Sequence, residues 1–151
     1  MSNEKTFEHY DHSITEEFIR ANETLTGLPA YLGIRITGAG PGTMRAEMEV
    51  RDEFLTPFGN AHGGVITALC DHILGCVCYP MMKRGQWGAT TEFKVNLLAS
   101  VRKGSLVADA SVVAMTRTLA VIRIDVRNDE RLACIAQGTV LIRDPRPEDR
   151  S

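Results

Sequence analysis

The stretch from Ala61 to about Met82 constrains the fold more than any other part of this chain. Val65, Leu69, Ile73 and Cys76 recur at helical spacing, with Ile66 and Val77 beside them, and predict one long helix over residues 61–82. Apolar residues occupy nearly every side of it, which marks a helix enclosed by other structure. Its greasiest part, residues 65–80, is interrupted by Asp71-His72 and reads as too short to span a bilayer. The expectation is therefore the core helix of a globular domain. A chain of 151 residues that is 44% apolar and 24% charged supplies one such domain.

The rest of the chain supplies a wrapper for that helix. Ser13-Ile14-Thr15-Glu16 has the form of a capping box and predicts a first helix through Phe18, Ile19 and Leu25, ended by Gly27 and Pro29. Two strands are expected over 33–37 and 43–50, joined by the turn-forming cluster Gly38-Ala39-Gly40-Pro41-Gly42. After the long helix, Phe93, Val95 and Leu97 alternate with Glu92, Lys94 and Asn96, and Ile122, Ile124 and Val126 alternate with Arg123, Asp125 and Arg127. Residues 106–115 and 132–142 are two further strands, and Asn128-Asp129-Glu130 is a hairpin turn. Short connectors between consecutive late strands predict antiparallel pairing. The fold class is α+β: one antiparallel sheet curled around one central helix. The expected organisation is a flexible segment 1–12, a single domain 13–143 and a tail 144–151.

Charge and composition exclude several function classes. Lys plus Arg is 17 and Asp plus Glu is 19, a net charge of −2, so the chain lacks the basic field of a nucleic-acid binder or of a protein that coats anionic membranes. The N-terminal residues show no apolar signal region, so a cytoplasmic location is expected, where Cys70, Cys76, Cys78 and Cys134 would be free thiols. Their spacing is not that of a zinc site, and His9 and His12 have no second pair of ligands. No metal is expected.

The central helix carries the chemistry. At 100° per residue, Asp71 points away from the apolar stripe, among the small neighbours Gly64, Thr67, Gly75 and Cys78. Such a carboxylate either faces solvent or leaves room for a ligand or another subunit. Asn60-Ala61-His62-Gly63-Gly64 opens the helix, whose first N–H groups have no intrahelical partner and whose dipole favours an anion or developing oxyanion. A donor of this kind and a carboxylate base are the two parts that acyl transfer to water requires. His62 is equally a cap or a direct substrate contact.

The run Phe58-Gly59-Asn60-Ala61-His62-Gly63-Gly64-Val65, followed by Leu69-Cys70-Asp71, resembles the signature of the PaaI-type hotdog-fold acyl-CoA thioesterases. Leu32-Gly33-Ile34, Thr118-Leu119-Ala120 and Ile135-Ala136-Gln137-Gly138-Thr139 extend the likeness over residues 28 to 143. The resemblance implies a hotdog fold, a dimer or dimer of dimers, and active sites at the subunit interface. It implies that the Gly63 amide polarises the thioester carbonyl and that Asp71 of the partner subunit acts as general base or nucleophile. His62 would position the loop or the carbonyl, Gly64 beside Gly63 would let the substrate carbonyl approach the backbone, and Thr90 would bring a hydroxyl near the carboxylate. Many relatives have Asn six residues before the His. Here Thr56 stands there, and Asn60 is too near the His to replace it, although both would border the substrate.

The substrate so implied is an acyl-CoA, with coenzyme A part of the substrate and no separate cofactor. Arg102, Lys103 and Arg117 are the candidates for its phosphates, and Met81, Met82 and Trp87 either border an acyl channel or pack. Two alternatives stay open: a module that binds acyl-CoA without turnover, and an enoyl-CoA hydratase or dehydratase, although the His-Phe-Pro signature of hotdog dehydratases is missing.

Overall fold

Period-two alternation over the second half of the chain builds most of the sheet. The computed structural model describes residues 7–145; residues 1–6 of the expected flexible segment and 146–151 of the expected tail lie outside the described residues. In chain order the elements are α1 (His12–Ala21), α2 (Gly27–Leu32), β1 (Arg35–Gly40), β2 (Thr43–Glu49), α3 (Gly63–Cys76), β3 (Trp87–Leu97), β4 (Ser105–Met115), β5 (Leu119–Asn128) and β6 (Arg131–Arg143). One six-stranded antiparallel sheet runs β1-β2-β4-β5-β6-β3. Its concave face contributes Met44, Ala46, Leu106, Ala108, Ile122, Ile124, Cys134 and Val140 to the core around α3. This is the curled sheet around a central helix that the alternation and the long helix predict, and it is the hotdog fold that the resemblance implies.

Two expectations about pairing separate here. The β4–β5 and β5–β6 hairpins form as expected, the second closed by Asp129 at φ 53°. The β3 and β4 strands, though consecutive, are not neighbours, and β3 pairs with β6 at the sheet edge. Residues 98–104 carry the chain across instead. They are tied to the sheet by Leu98 and Ala99 N–H to Ala133 O and to the start of α3 by Ala61 N–H to Val101 O at 2.7 Å.

The helices also depart from the sequence reading. The N-cap of α1 is Asp11 rather than Ser13: its Oδ1 accepts the Ser13 N–H at 3.0 Å and the Ser13 hydroxyl at 2.6 Å. The Asn22 side chain then pairs with both backbone groups of Ile36, at 2.9 and 2.7 Å, and ends the helix there. Gly27 and Pro29 therefore open the separate helix α2, since proline costs nothing in a first turn. The long helix stops at Cys76 and continues only as the 3-10 turn Tyr79–Met81. Pro80 explains the stop, because its ring clashes with the carbonyl of residue 76 in a continuing helix.

The α3 helix is not enclosed on all sides. It buries Ile66, Leu69, Cys70, Ile73 and Leu74 against the sheet, while Gly64 and Asp71 are exposed and Thr67, Ala68, His72 and Gly75 are half-buried. By length and mean hydropathy (1.4), Gly63–Met81 would suffice to cross a membrane, contrary to the sequence estimate, but 56% of that window is buried inside the molecule. Gly138 lets the helix lie this close: a Cβ there would stand 2.5 Å from Leu74 Cδ1 and 2.8 Å from the Glu92 carbonyl. At the other end of the core, Phe7 packs on the Gly42 turn and Asp11 N–H reaches Pro80 O at 2.7 Å, so residues 7–11 are docked.

Candidate active site

The loop before α3 is closed on itself. Leu55 bridges to Ala61, Thr56 N–H donates to Asn60 O at 2.7 Å, and Gly59, at φ +76°, donates its N–H to Thr56 O at 2.9 Å. The Thr56 hydroxyl accepts the Phe58 N–H at 3.3 Å, so this side chain holds its own turn. His62 N–H reaches Phe54 O at 2.8 Å and fixes the entry into the helix.

His62 is the N-cap. Its Nδ1 accepts the Gly64 N–H at 2.9 Å, which puts the neutral ring's proton on Nε2, and its carbonyl takes the Val65 N–H at 2.9 Å. Of the first-turn donors, only the Gly63 N–H meets no acceptor among the described residues. The resemblance named the Gly63 amide as the oxyanion donor, and this is the first-turn amide that the structure leaves without an acceptor. Leu97 lies beside Gly63, since a Cβ on Gly63 would come within 2.7 Å of Leu97 Cδ1. Strand alternation gave no sign of that role for Leu97.

Asp71 is exposed and makes no hydrogen bond or ion pair among the described residues. It stands eight residues beyond Gly63, about 12 Å along the helix axis and about 80° around it. Asp71 and Gly63 of one chain therefore do not meet. Beside the carboxylate, burial lowers the affinity of His72 for a proton, and the Asp71 charge opposes that shift. Desolvation pushes the Cys76 and Cys78 thiols up to about 12, with the Asp71 charge adding to the effect at Cys76, so neither is a thiolate nucleophile at neutral pH. Cys70 Sγ lies 4.0 Å from Cys134 Sγ, and that contact together with burial holds the Cys70 thiol protonated.

Thr90 pairs with Val140 and so shares the helix-facing side of β3, just before a bulge at Thr91; its hydroxyl has no partner among the described residues. Asn60 is half-buried, with its Oδ1 sealed off and unpartnered. Arg102 and Lys103 are exposed at the α3 N-terminal end, next to Val101. Arg117 is exposed at the opposite end of β4, about 33 Å away at ~3.3 Å per residue. The three cations of one chain do not form one phosphate site. Met81 and Met82 are buried, and the Met81 sulfur accepts the Gly42 N–H at 3.3 Å, so both methionines pack; Trp87 is exposed.

The curled sheet thus surrounds a helix whose N-terminus presents one open amide. Residues 58–135 match the family described as the thioesterase superfamily. The crystal structure of a thioesterase from Haemophilus influenzae is similar over 95% of this chain and 96% of that one, with a TM-score of 0.79 and 28% identity. A thioesterase protein of Streptococcus pneumoniae, crystallised with coenzyme A, covers 75% of this chain and 88% of its own, with a TM-score of 0.68 and 30% identity. Acyl-coenzyme A thioesterase 13 of Homo sapiens is 29% identical over 126 residues, 81% of this chain and 88% of that protein. The chain belongs to the thioesterase superfamily, and the reaction of its class is thioester hydrolysis.

Proposed function

We propose that this protein hydrolyses an acyl-CoA to the free acid and coenzyme A, in sites shared between two copies of the chain. The observation that carries the reading is the open Gly63 N–H at the positive end of α3. It suits the oxygen of a thioester carbonyl, which gains charge as a tetrahedral intermediate forms. Gly63 and Asp71 of one chain are too far apart to serve one carbonyl, whereas the uncovered face of α3 and the free edge of β3 are surfaces a second copy can use. In a two-fold arrangement each chain's Asp71 serves the other's Gly63, giving two equivalent sites.

With the carbonyl on Gly63, Asp71 of the partner subunit takes a proton from water as the water oxygen bonds to the carbonyl carbon. The intermediate collapses with cleavage of the C–S bond, and the sulfur leaves as a thiolate that takes up a proton. Attack by the carboxylate itself, through an anhydride that water then opens, uses the same placement. His62 keeps the loop in register by holding Gly64, and Thr90 offers a hydroxyl on the helix-facing side of β3. Arg102 and Lys103 flank the α3 N-terminus, on the side where the phosphates of a bound acyl-CoA would lie.

Thiol release from a panel of straight-chain and phenylacetyl-type acyl-CoAs tests the reading. Wild type is expected to liberate thiol, and Asp71→Asn to lose at least about 100-fold in kcat with an unchanged circular dichroism spectrum. Wild-type turnover by Asp71→Asn would remove Asp71 from the chemistry. A panel that yields no thiol would remove hydrolysis of these substrates.

A further inference from the structure

Asn60 holds an acceptor that the chemistry above does not use. Its Oδ1 is closed off from solvent and meets no donor among the described residues. The backbone around it cannot easily give way: the Asn60 carbonyl takes the Thr56 N–H, and the next N–H, that of Ala61, is donated to Val101 O. A carbonyl stripped of water and left unmatched bears its whole desolvation cost, so a group that brings an N–H to it gains more than at an exposed acceptor. Asn60 also borders a cavity of about 220 Å³, lined with Ile66, Leu97, Leu98, Ser100 and Val101, and a turn of its carboxamide about χ2, a soft torsion, presents the closed-off Oδ1 to that cavity. Leu97 joins this cavity to Gly63, because its Cδ1 would stand 2.7 Å from a Cβ on that glycine. The wall of this cavity therefore runs from Leu97, beside Gly63, to Val101, which Arg102 and Lys103 follow in the chain.

We propose that Asn60 Oδ1 accepts a hydrogen bond from the amide N–H nearest the sulfur of a pantetheine thioester, so that the enzyme selects the carrier arm as well as the acyl group. This rests on Gly63 binding the thioester oxygen. In such a substrate an ethylene unit separates the sulfur from the amide, which places the N–H just past the carbonyl on the way into the cavity. The methylenes lie against Leu97 and Leu98. Asn60 is a positioning residue here: it touches the arm and does not touch the reacting atoms.

The experiment compares two substrates with the same acyl group, one on N-acetylcysteamine and one on the thiol of identical length with an ester oxygen in place of the amide N–H. Each rate is divided by that substrate's spontaneous hydrolysis. Wild type is expected to favour the amide by about 3- to 10-fold in kcat/KM, and Asn60→Ala to erase that preference. Both substrates are measured on one preparation, so the ratio is independent of the fraction folded; Asn60→Ser provides a second variant should the alanine form yield little protein. A preference that survives in Asn60→Ala, or a wild type that shows none, overturns the proposal. Equal loss on both substrates in the variant, with the preference kept, marks a purely structural role and overturns it too. Asp71→Asn lowers both rates alike, so failure of the catalytic reading shows as wild-type inactivity on every carrier, a separate result. Coenzyme A and a phosphopantetheine carrier protein share this amide: Asn60→Ala is expected to lower kcat/KM on both, and the larger wild-type value identifies the source.

Discussion

The Nδ1 of His62 accepts the Gly64 N–H at 2.9 Å, and this bond determines which amide of the helix start is left open. Histidine thus fills the place usually taken by Ser, Thr, Asp or Asn. His62→Ala is expected to cost about 0.5–2 kcal/mol, a fall of about 1–8 °C in Tm by calorimetry, while His62→Asn keeps a capping acceptor and most of the stability.

Deleting one hydrogen from the backbone isolates the role of Gly63. It is the first residue of α3, where proline is accommodated, and His62 before it lies at φ −62°, ψ 132°, a conformation compatible with a following proline. The overlap with Leu97 Cδ1 is relieved by Leu97→Ala. In that background, Gly63→Pro is expected to lower kcat by about 100- to 1,000-fold while far-ultraviolet circular dichroism stays unchanged.

Two inactive variants should rescue each other. Mixing Asp71→Asn chains with chains carrying Gly63→Pro and Leu97→Ala, followed by unfolding and refolding together, creates pairs in which one of the two sites has both groups intact. Thiol release well above that of either parent is expected. Rescue that stays at the level of the parents would place the acid and the amide in one chain.

Acid should weaken the fold through His72. Burial lowers its folded-state proton affinity below the usual value of 6.5, so the unfolded chain binds a proton that the folded chain declines. Stability is then complete above about pH 6.5 and falls as the pH drops below that value. The measurement is Tm between pH 7.5 and 5.5, where His72→Phe is expected to flatten the slope.

Gly138→Ala should destabilise by about 1–3 kcal/mol in urea titration. Of the three atoms its Cβ would strike, the Glu92 carbonyl at 2.8 Å is backbone and cannot rotate away.

Much of this architecture is written locally in the chain. The period from Val65 to Val77 and the alternation of Ile122, Ile124 and Val126 are carried by neighbouring residues, so the core helix, the late hairpins and the outward direction of Asp71 were legible. Neighbour relations were not. Alternation at Phe93, Val95 and Leu97 names a face and says nothing about which strand lies alongside, so the pairing of β3 with β6 was hidden. The early end of α1 depends on Asn22 reaching Ile36, fourteen residues away, which no helix-stop rule contains. In the site, the resemblance carried by the HGG run named the Gly63 amide, and the His62 side chain supplies the physical reason that it rather than the Gly64 amide is free. Asn60 was one polar loop residue among several until its burial was known.

The eight-residue gap between Gly63 and Asp71 has a consequence for how this protein is switched on. A newly made chain, under the proposed reading, carries a complete parts list and no working centre, because its own acid lies about 12 Å along the helix from its own amide. Under the proposed reading, turnover per chain therefore obeys mass action: it vanishes on dilution below the dissociation constant of the pair and saturates above it, so abundance itself acts as the regulator.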